Sequence, residues 1–128
     1  RQTIATSDAP AAIGPYSQAI RTGDTLWMSG QIPLDPTTMQ IVEGGIEAQA
    51  QRVFANMRAV LAAAGGTFDD VVKLSLLLVD LGDFAKVNEI MAAEFKQPYP
   101  ARPTYQVAAL PRGPRIEVEA VAVLKPGA

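Results

Sequence analysis

The chain has no cysteine and no histidine in 128 residues. The first absence excludes disulfides, thiolate nucleophiles and cysteine-built zinc or iron–sulfur centres. The second removes Ser–His dyads and imidazole metal ligands. Carboxylates, guanidinium groups, hydroxyls, amides and water remain for chemistry. No apolar run approaches the length of a membrane span, so no membrane partner is expected. A basic cluster is missing as well. The net charge is −2, from 11 basic and 13 acidic residues, and Lys73, Lys86, Lys96 and Lys125 are scattered. This argues against a nucleic-acid partner, which needs a clustered positive footprint. No dense group of acids suggests a magnesium site, and no metal or other cofactor is expected. No signal-peptide pattern follows Arg1, and a soluble, cytoplasmic protein is the expectation.

What is present is ordinary globular composition, 48% hydrophobic and 19% charged, at a length that suits one domain over residues 1–128. Residues 2–6 read as a short strand. Residues 17–22 and 25–29 read as two strands about the turn Gly23-Asp24. Residues 30–45 form a long loop. Residues 46–64 are the clearest helix, because Ile46, Ala50, Val53, Phe54, Met57, Val60, Leu61 and Ala64 recur at helical spacing and Gly65-Gly66 ends the run. Residues 71–79 form a strand apolar on both faces. Residues 84–95 form a second helix with Phe84, Val87, Met91 and Phe95 in its stripe. Strands over 104–108 and 115–124 complete the chain. The order predicts an α+β fold, a mixed sheet with two helices on one face. Two helices cover one side only, which leaves Leu77, Val79, Val121 and Val123 on an uncovered face, so a closed homo-oligomer is expected.

Arg102 and Glu117 stand out because they lie in segments that otherwise read as buried strand, where an unpaired charge is costly. Glu117 and Glu119 sit in RIEVEAVAVL, two residues apart, on one face and about 7 Å from each other. They fit a carboxylate that handles a proton or a water in a cleft; they equally fit an edge strand with a solvated polar face. Arg102 stands between Pro100-Ala101 and Pro103. Its planar fork suits a substrate carboxylate, or a structural salt bridge to one of the glutamates. Asn88 falls within the stripe of the second helix and needs a partner, either a loop or a site. Tyr16 ends the loop Ile13-Gly14-Pro15 and can donate a hydrogen bond or simply pack. Ser29-Gly30-Gln31 ends a strand, where Gly30 lets a ligand approach the backbone.

Several segments, in order and at compatible spacing, resemble the RidA (YjgF/YER057c/UK114) family. They are Ile13-Gly14-Pro15-Tyr16-Ser17-Gln18-Ala19, Ser29-Gly30-Gln31-Ile32-Pro33, Gln49-Ala50, Asn56, Val87-Asn88, Pro100-Ala101-Arg102, Gln106-Val107-Ala108-Ala109-Leu110-Pro111 and Ile116-Glu117-Val118-Glu119-Ala120. The resemblance implies a fold similar to the bacillus-type chorismate mutase and a homotrimer with clefts between subunits. It implies hydrolysis of 2-imino acids such as 2-iminopropanoate and 2-iminobutanoate, which arise from 2-aminoacrylate and related enamines, to 2-keto acids and ammonia. In that reading Arg102 binds the substrate carboxylate and Glu117 orients the hydrolytic water. Tyr16 assists proton movement, and Ser29, Asn88 and Thr104 line the same site. Thr104 stands where many bacterial relatives carry cysteine. Competing expectations are an endoribonuclease that inhibits translation, and a non-enzymatic metabolite-binding or chaperone-like trimer.

Overall fold

A computed structural model describes residues 1–127; Ala128, the end of the expected domain, lies outside the described residues. Strands β1 (Gln2–Ile4), β2 (Ala19–Thr22), β3 (Thr25–Gln31), β4 (Val71–Leu78), β5 (Thr104–Gln106) and β6 (Ile116–Val123) join in one sheet in the order β1-β2-β3-β6-β4-β5. All neighbours are antiparallel except β4 and β5. Helices α1 (Ile46–Ala63) and α2 (Phe84–Glu94) cover one face, and single 3-10 turns at Phe68–Asp70 and Leu81–Asp83 lead into β4 and α2. The expected α+β arrangement, two helices on a mixed sheet, is the observed one.

Period-two alternation decides which face each residue serves. On β6, Ile116, Val118, Ala120 and Ala122 are buried beneath the helices, while Glu117, Glu119, Val121 and Val123 face the other way. Helix α1 brings Ala50, Val53, Phe54, Met57, Val60 and Leu61 into this core. Phe54, Phe68 and Phe95 meet as an aromatic cluster, with ring centroids 4.5 to 6.3 Å apart. The α1 terminus follows from glycine chemistry. Gly65 takes φ +83°, its N–H donates to Ala62 O, and the Gly66 N–H donates to Leu61 O, so two orphan carbonyls are satisfied. A side chain at Gly66 would also run into Leu124.

The face away from the helices keeps its apolar surface in the single chain. Trp27 and Tyr105 are each 55% exposed and Val123 is 47% exposed. Two sequence expectations change. β6 is central, between β3 and β4, so the edge-strand reading of Glu117 and Glu119 fails: long-range pairing, invisible in local alternation, put it there. β3 also runs to Gln31, taking the first two residues of the expected loop into the sheet.

Candidate active site

Glu117 lies opposite Leu77 of β4. On its other side β3 slips register between Met28 and Gln31, which lays Ser29 and Gly30 against it. Gly30 makes the space for the carboxylate. A Cβ there would stand 2.9 Å from Glu117 Cδ, and closer still to Oε2. The half-buried carboxyl is pushed above its ordinary range, first by desolvation and second by the Glu119 charge on the same face. Among the described residues, none hydrogen-bonds to it. Glu117, Gly30, Ser29, Tyr16, Ile13 and Pro111 line a mostly apolar cleft of about 560 Å³.

Buried amides hold this cleft in shape. Gln18 accepts from Thr6 N–H at 2.7 Å and donates to Pro10 O at 2.7 Å, which pins the loop that presents Tyr16. Asn56 donates to Leu34 O at 3.0 Å and pins the loop after β3 to α1. Gln49 accepts the Arg115 N–H at 2.7 Å at the head of β6. The Ser29 hydroxyl donates to Ser17 O at 2.6 Å. Its proton is committed, so Ser29 offers the cleft an acceptor rather than a nucleophile. Tyr16 is exposed at the rim.

Arg102 is elsewhere. It lies at the open edge of the sheet beside α2, in a second depression formed with Asn88, Met91, Ala92, Tyr99 and Pro100. Its Nη1 donates to Asn88 Oδ1 at 2.7 Å and to Met91 Sδ at 3.3 Å, and its Cζ lies 5.2 Å from the Phe84 ring centroid. Among the described residues no carboxylate pairs with it; the ion pairs are Arg21–Asp24, Arg58–Glu94, Lys86–Glu89 and Arg115–Asp83. Asn88 is exposed, beside the buried stripe of Val87 and Met91 rather than in it, and its partner is Arg102. Thr104 is the register partner of Leu76 and lines neither depression.

Within one chain, then, Tyr16, Ser29 and Glu117 share one cleft, Asn88 and Arg102 share another, and the two have no residue in common. β5 is two strands from β6, about 10 Å in backbone spacing.

The sequence model of the family described as Endoribonuclease L-PSP matches residues 6–124. The chain belongs to that family. Among curated relatives, "Protein DfrA" of Myxococcus xanthus is 53% identical over 96% of this chain and 95% of its own. The 2-iminobutanoate/2-iminopropanoate deaminase of Homo sapiens is 52% identical over 98% and 92%. Among solved structures, RidA from the Antarctic bacterium Psychrobacter sp. PAMC 21119 superposes with a TM-score of 0.94 at 51% identity, covering 97% of this chain and all of that one. The resemblance read from the motifs is therefore upheld.

Around the two depressions of this L-PSP family member, Phe84, Met91 and Arg112 are among the residues that carry no site signal in the sequence. Phe84 and Met91 read as core stripe, yet also bed Arg102. Arg112 lines the Glu117 cleft, and its Nη1 donates to Met39 O at 3.3 Å. Arg112 and Met39 take φ of 69° and 59°. No local pattern in the sequence marks where this arginine goes.

Proposed function

We propose that this protein hydrolyses the C=N bond of small 2-imino acids, 2-iminopropanoate and 2-iminobutanoate among them, to 2-keto acids and ammonia, at a site completed by a second copy of the chain. The reading rests on one observation: among the described residues, Arg102 has no carboxylate partner and Glu117 has no hydrogen-bond donor. A guanidinium with no carboxylate and a half-buried carboxylate with no donor are complementary to a substrate that brings an anion at one end and an electrophilic iminium at the other. The named deaminases among the relatives supply the reaction class.

Arg102 grips the substrate carboxylate with two parallel N–H bonds and fixes the distance to the imine carbon. Glu117 orients a water against C2 and accepts its proton as the tetrahedral carbinolamine forms. It returns that proton to nitrogen, takes the hydroxyl proton as ammonia leaves and the carbonyl closes, and passes it to the departing ammonia. Ser29 accepts a hydrogen bond from the nitrogen or the water. The Tyr16 hydroxyl at the rim helps move the proton when an enamine must first become the imine. Thr104 contributes backbone. Leu76 donates to Pro103 rather than to Thr104, which leaves the Thr104 amide on the open edge. The iminium is already a strong electrophile, so these residues suffice.

Since the two half-sites lie apart in one chain, the apolar face carrying Trp27, Tyr105 and Val123 is the surface through which copies bring them together, as a homotrimer. The test is complementation. Arg102→Ala and Glu117→Gln subunits, each nearly inactive alone, are unfolded and refolded together. Random pairing restores one intact site in four, about a quarter of wild-type activity. No recovery, from assemblies of about three times the 13.6 kDa chain mass, defeats the shared site. Cytoplasmic location follows the same metabolic reading. The family description favours a second activity, RNA cleavage. The lack of histidine and the net charge of −2 weigh against it, and cleavage that persists in Arg102→Ala would support it.

A further inference from the structure

Phe84, Asn88 and Met91 are four and three residues apart, so they form one stripe along α2. All three touch the same guanidinium. Asn88 Oδ1 and Met91 Sδ both accept from Nη1, at 2.7 and 3.3 Å. The Phe84 ring lies against the guanidinium face, with its centroid 5.2 Å from Cζ. Among the described residues, nothing accepts from Nε or Nη2. A guanidinium can grip a carboxylate end-on through Nη1 and Nη2, or side-on through Nε and Nη2. Here the end-on pair is already half spent.

We infer that Met91 and Phe84 are positioning residues, which with Asn88 set the plane of Arg102 and leave only its Nε–Nη2 edge for a carboxylate. This rests on the proposed role of Arg102 as the carboxylate clamp. Met91 is 3% exposed, so its thioether cannot swing into solvent and release Nη1. The guanidinium is itself planar, and the ring limits the rotation about Cδ–Nε that would tilt the fork. A carboxylate bound side-on must lie in the guanidinium plane, so α2 dictates the direction in which the rest of the substrate leaves Arg102.

The test is a double-mutant cycle read by calorimetric binding of 2-ketobutyrate, a stable product analogue. Met91→Leu nearly conserves volume and removes only the acceptor. In the Arg102 background it should raise Kd about fivefold, the weight of one modest hydrogen bond. In the Arg102→Lys background, which keeps the charge but has no plane to set, the change should stay within about twofold. Equal losses in both backgrounds, or no loss beside Arg102, overturn the inference. Phe84→Leu is run through the same cycle with the same expectation, so a poorly folded Met91 variant does not end the test. The clamp itself is read separately. If Arg102→Ala binds 2-ketobutyrate as wild type does, the clamp fails and this inference falls with it; if Arg102→Ala loses binding while the cycle shows no coupling, only the inference fails.

Discussion

Gly30→Ala isolates the position of one carboxylate. The Gly30 backbone lies outside the left-handed region, so alanine adds no torsional strain. Its Cβ would stand 2.9 Å from Glu117 Cδ and 3.1 Å from Cγ, and the Oε2 atom is closer still. Carbon atoms at ordinary contact are about 3.5 to 4.0 Å apart, so the carboxylate must retreat by on the order of 1 Å. The obstacle is the end of a flexible side chain, and the backbone need not move. The stability change is small. An off-rotamer side chain costs about 0.5–1.5 kcal/mol, and replacing glycine in a tolerant conformation returns about 0.4–1 kcal/mol. The melting temperature should stay within about 4 °C of wild type.

Activity should not stay. A misplacement of about 1 Å in a reacting group can cost about a hundredfold, close to 2.7 kcal/mol of barrier. The assay is hydrolysis of 2-iminobutanoate generated in situ by an amino-acid oxidase, with melting followed in parallel. Gly14→Ala, on the loop that presents Tyr16 to the cleft, is the control. A Cβ there would meet Tyr16 at 3.4 Å, an ordinary contact, and turnover should be retained. Wild-type kcat/KM in Gly30→Ala would show that the carboxylate beside Gly30 does not orient the water, and the proposed chemistry would fail.

The pH dependence carries two further predictions. In the proposed reaction Glu117 acts ionised, so kcat/KM should fall as pH drops through its raised value, on an acid limb above the ordinary carboxylate range; Glu119→Gln removes the second cause of the rise and should move that limb to lower pH. A limb in the ordinary carboxylate range, or one that ignores Glu119→Gln, refutes the assignment. Stability runs the other way. The folded state holds the Glu117 proton more tightly than the unfolded chain, so the stability this group lends is present below the unfolded value and is lost as pH rises through the folded one. Above that folded value the ionised carboxylate therefore burdens the fold. Glu117→Gln should melt above wild type at pH 7, lose that advantage on acidification, and turn over at least about a hundredfold more slowly. A variant that melts below wild type at pH 7 contradicts the burial argument.

The elements were legible where local pattern and burial agree. The α1 stripe, the Gly65-Gly66 stop and the alternation on β6 each follow from one periodicity and one face. The polar motif residues were legible as a pattern but not as causes. Gln18, Gln49 and Asn56 are buried amides that tie loops to helices and strands across many residues of chain, and such pairings leave no local trace. The central position of β6 was hidden for the same reason. Arg102 was singled out by its setting between prolines, while its bed on α2 was not, because Phe84 and Met91 each satisfy the core stripe and the arginine at once.

The separation of Arg102 from Glu117 within one chain has a chemical use. Two opposite charges free to meet during folding would close into an ion pair, and opening a partly buried pair to admit substrate is costly because each charge is then left unsatisfied. Here the arginine is fixed by a sulfur, an amide oxygen and a ring, none of which neutralises it. The glutamate is fixed by the gap at Gly30 and a register slip in β3, and among the described residues no cation forms an ion pair with it. Each half-site folds with its charge uncompensated. In the proposed assembly they would meet at a separation decided by rigid strands rather than by mutual attraction, and the substrate would supply the anion that the arginine lacks.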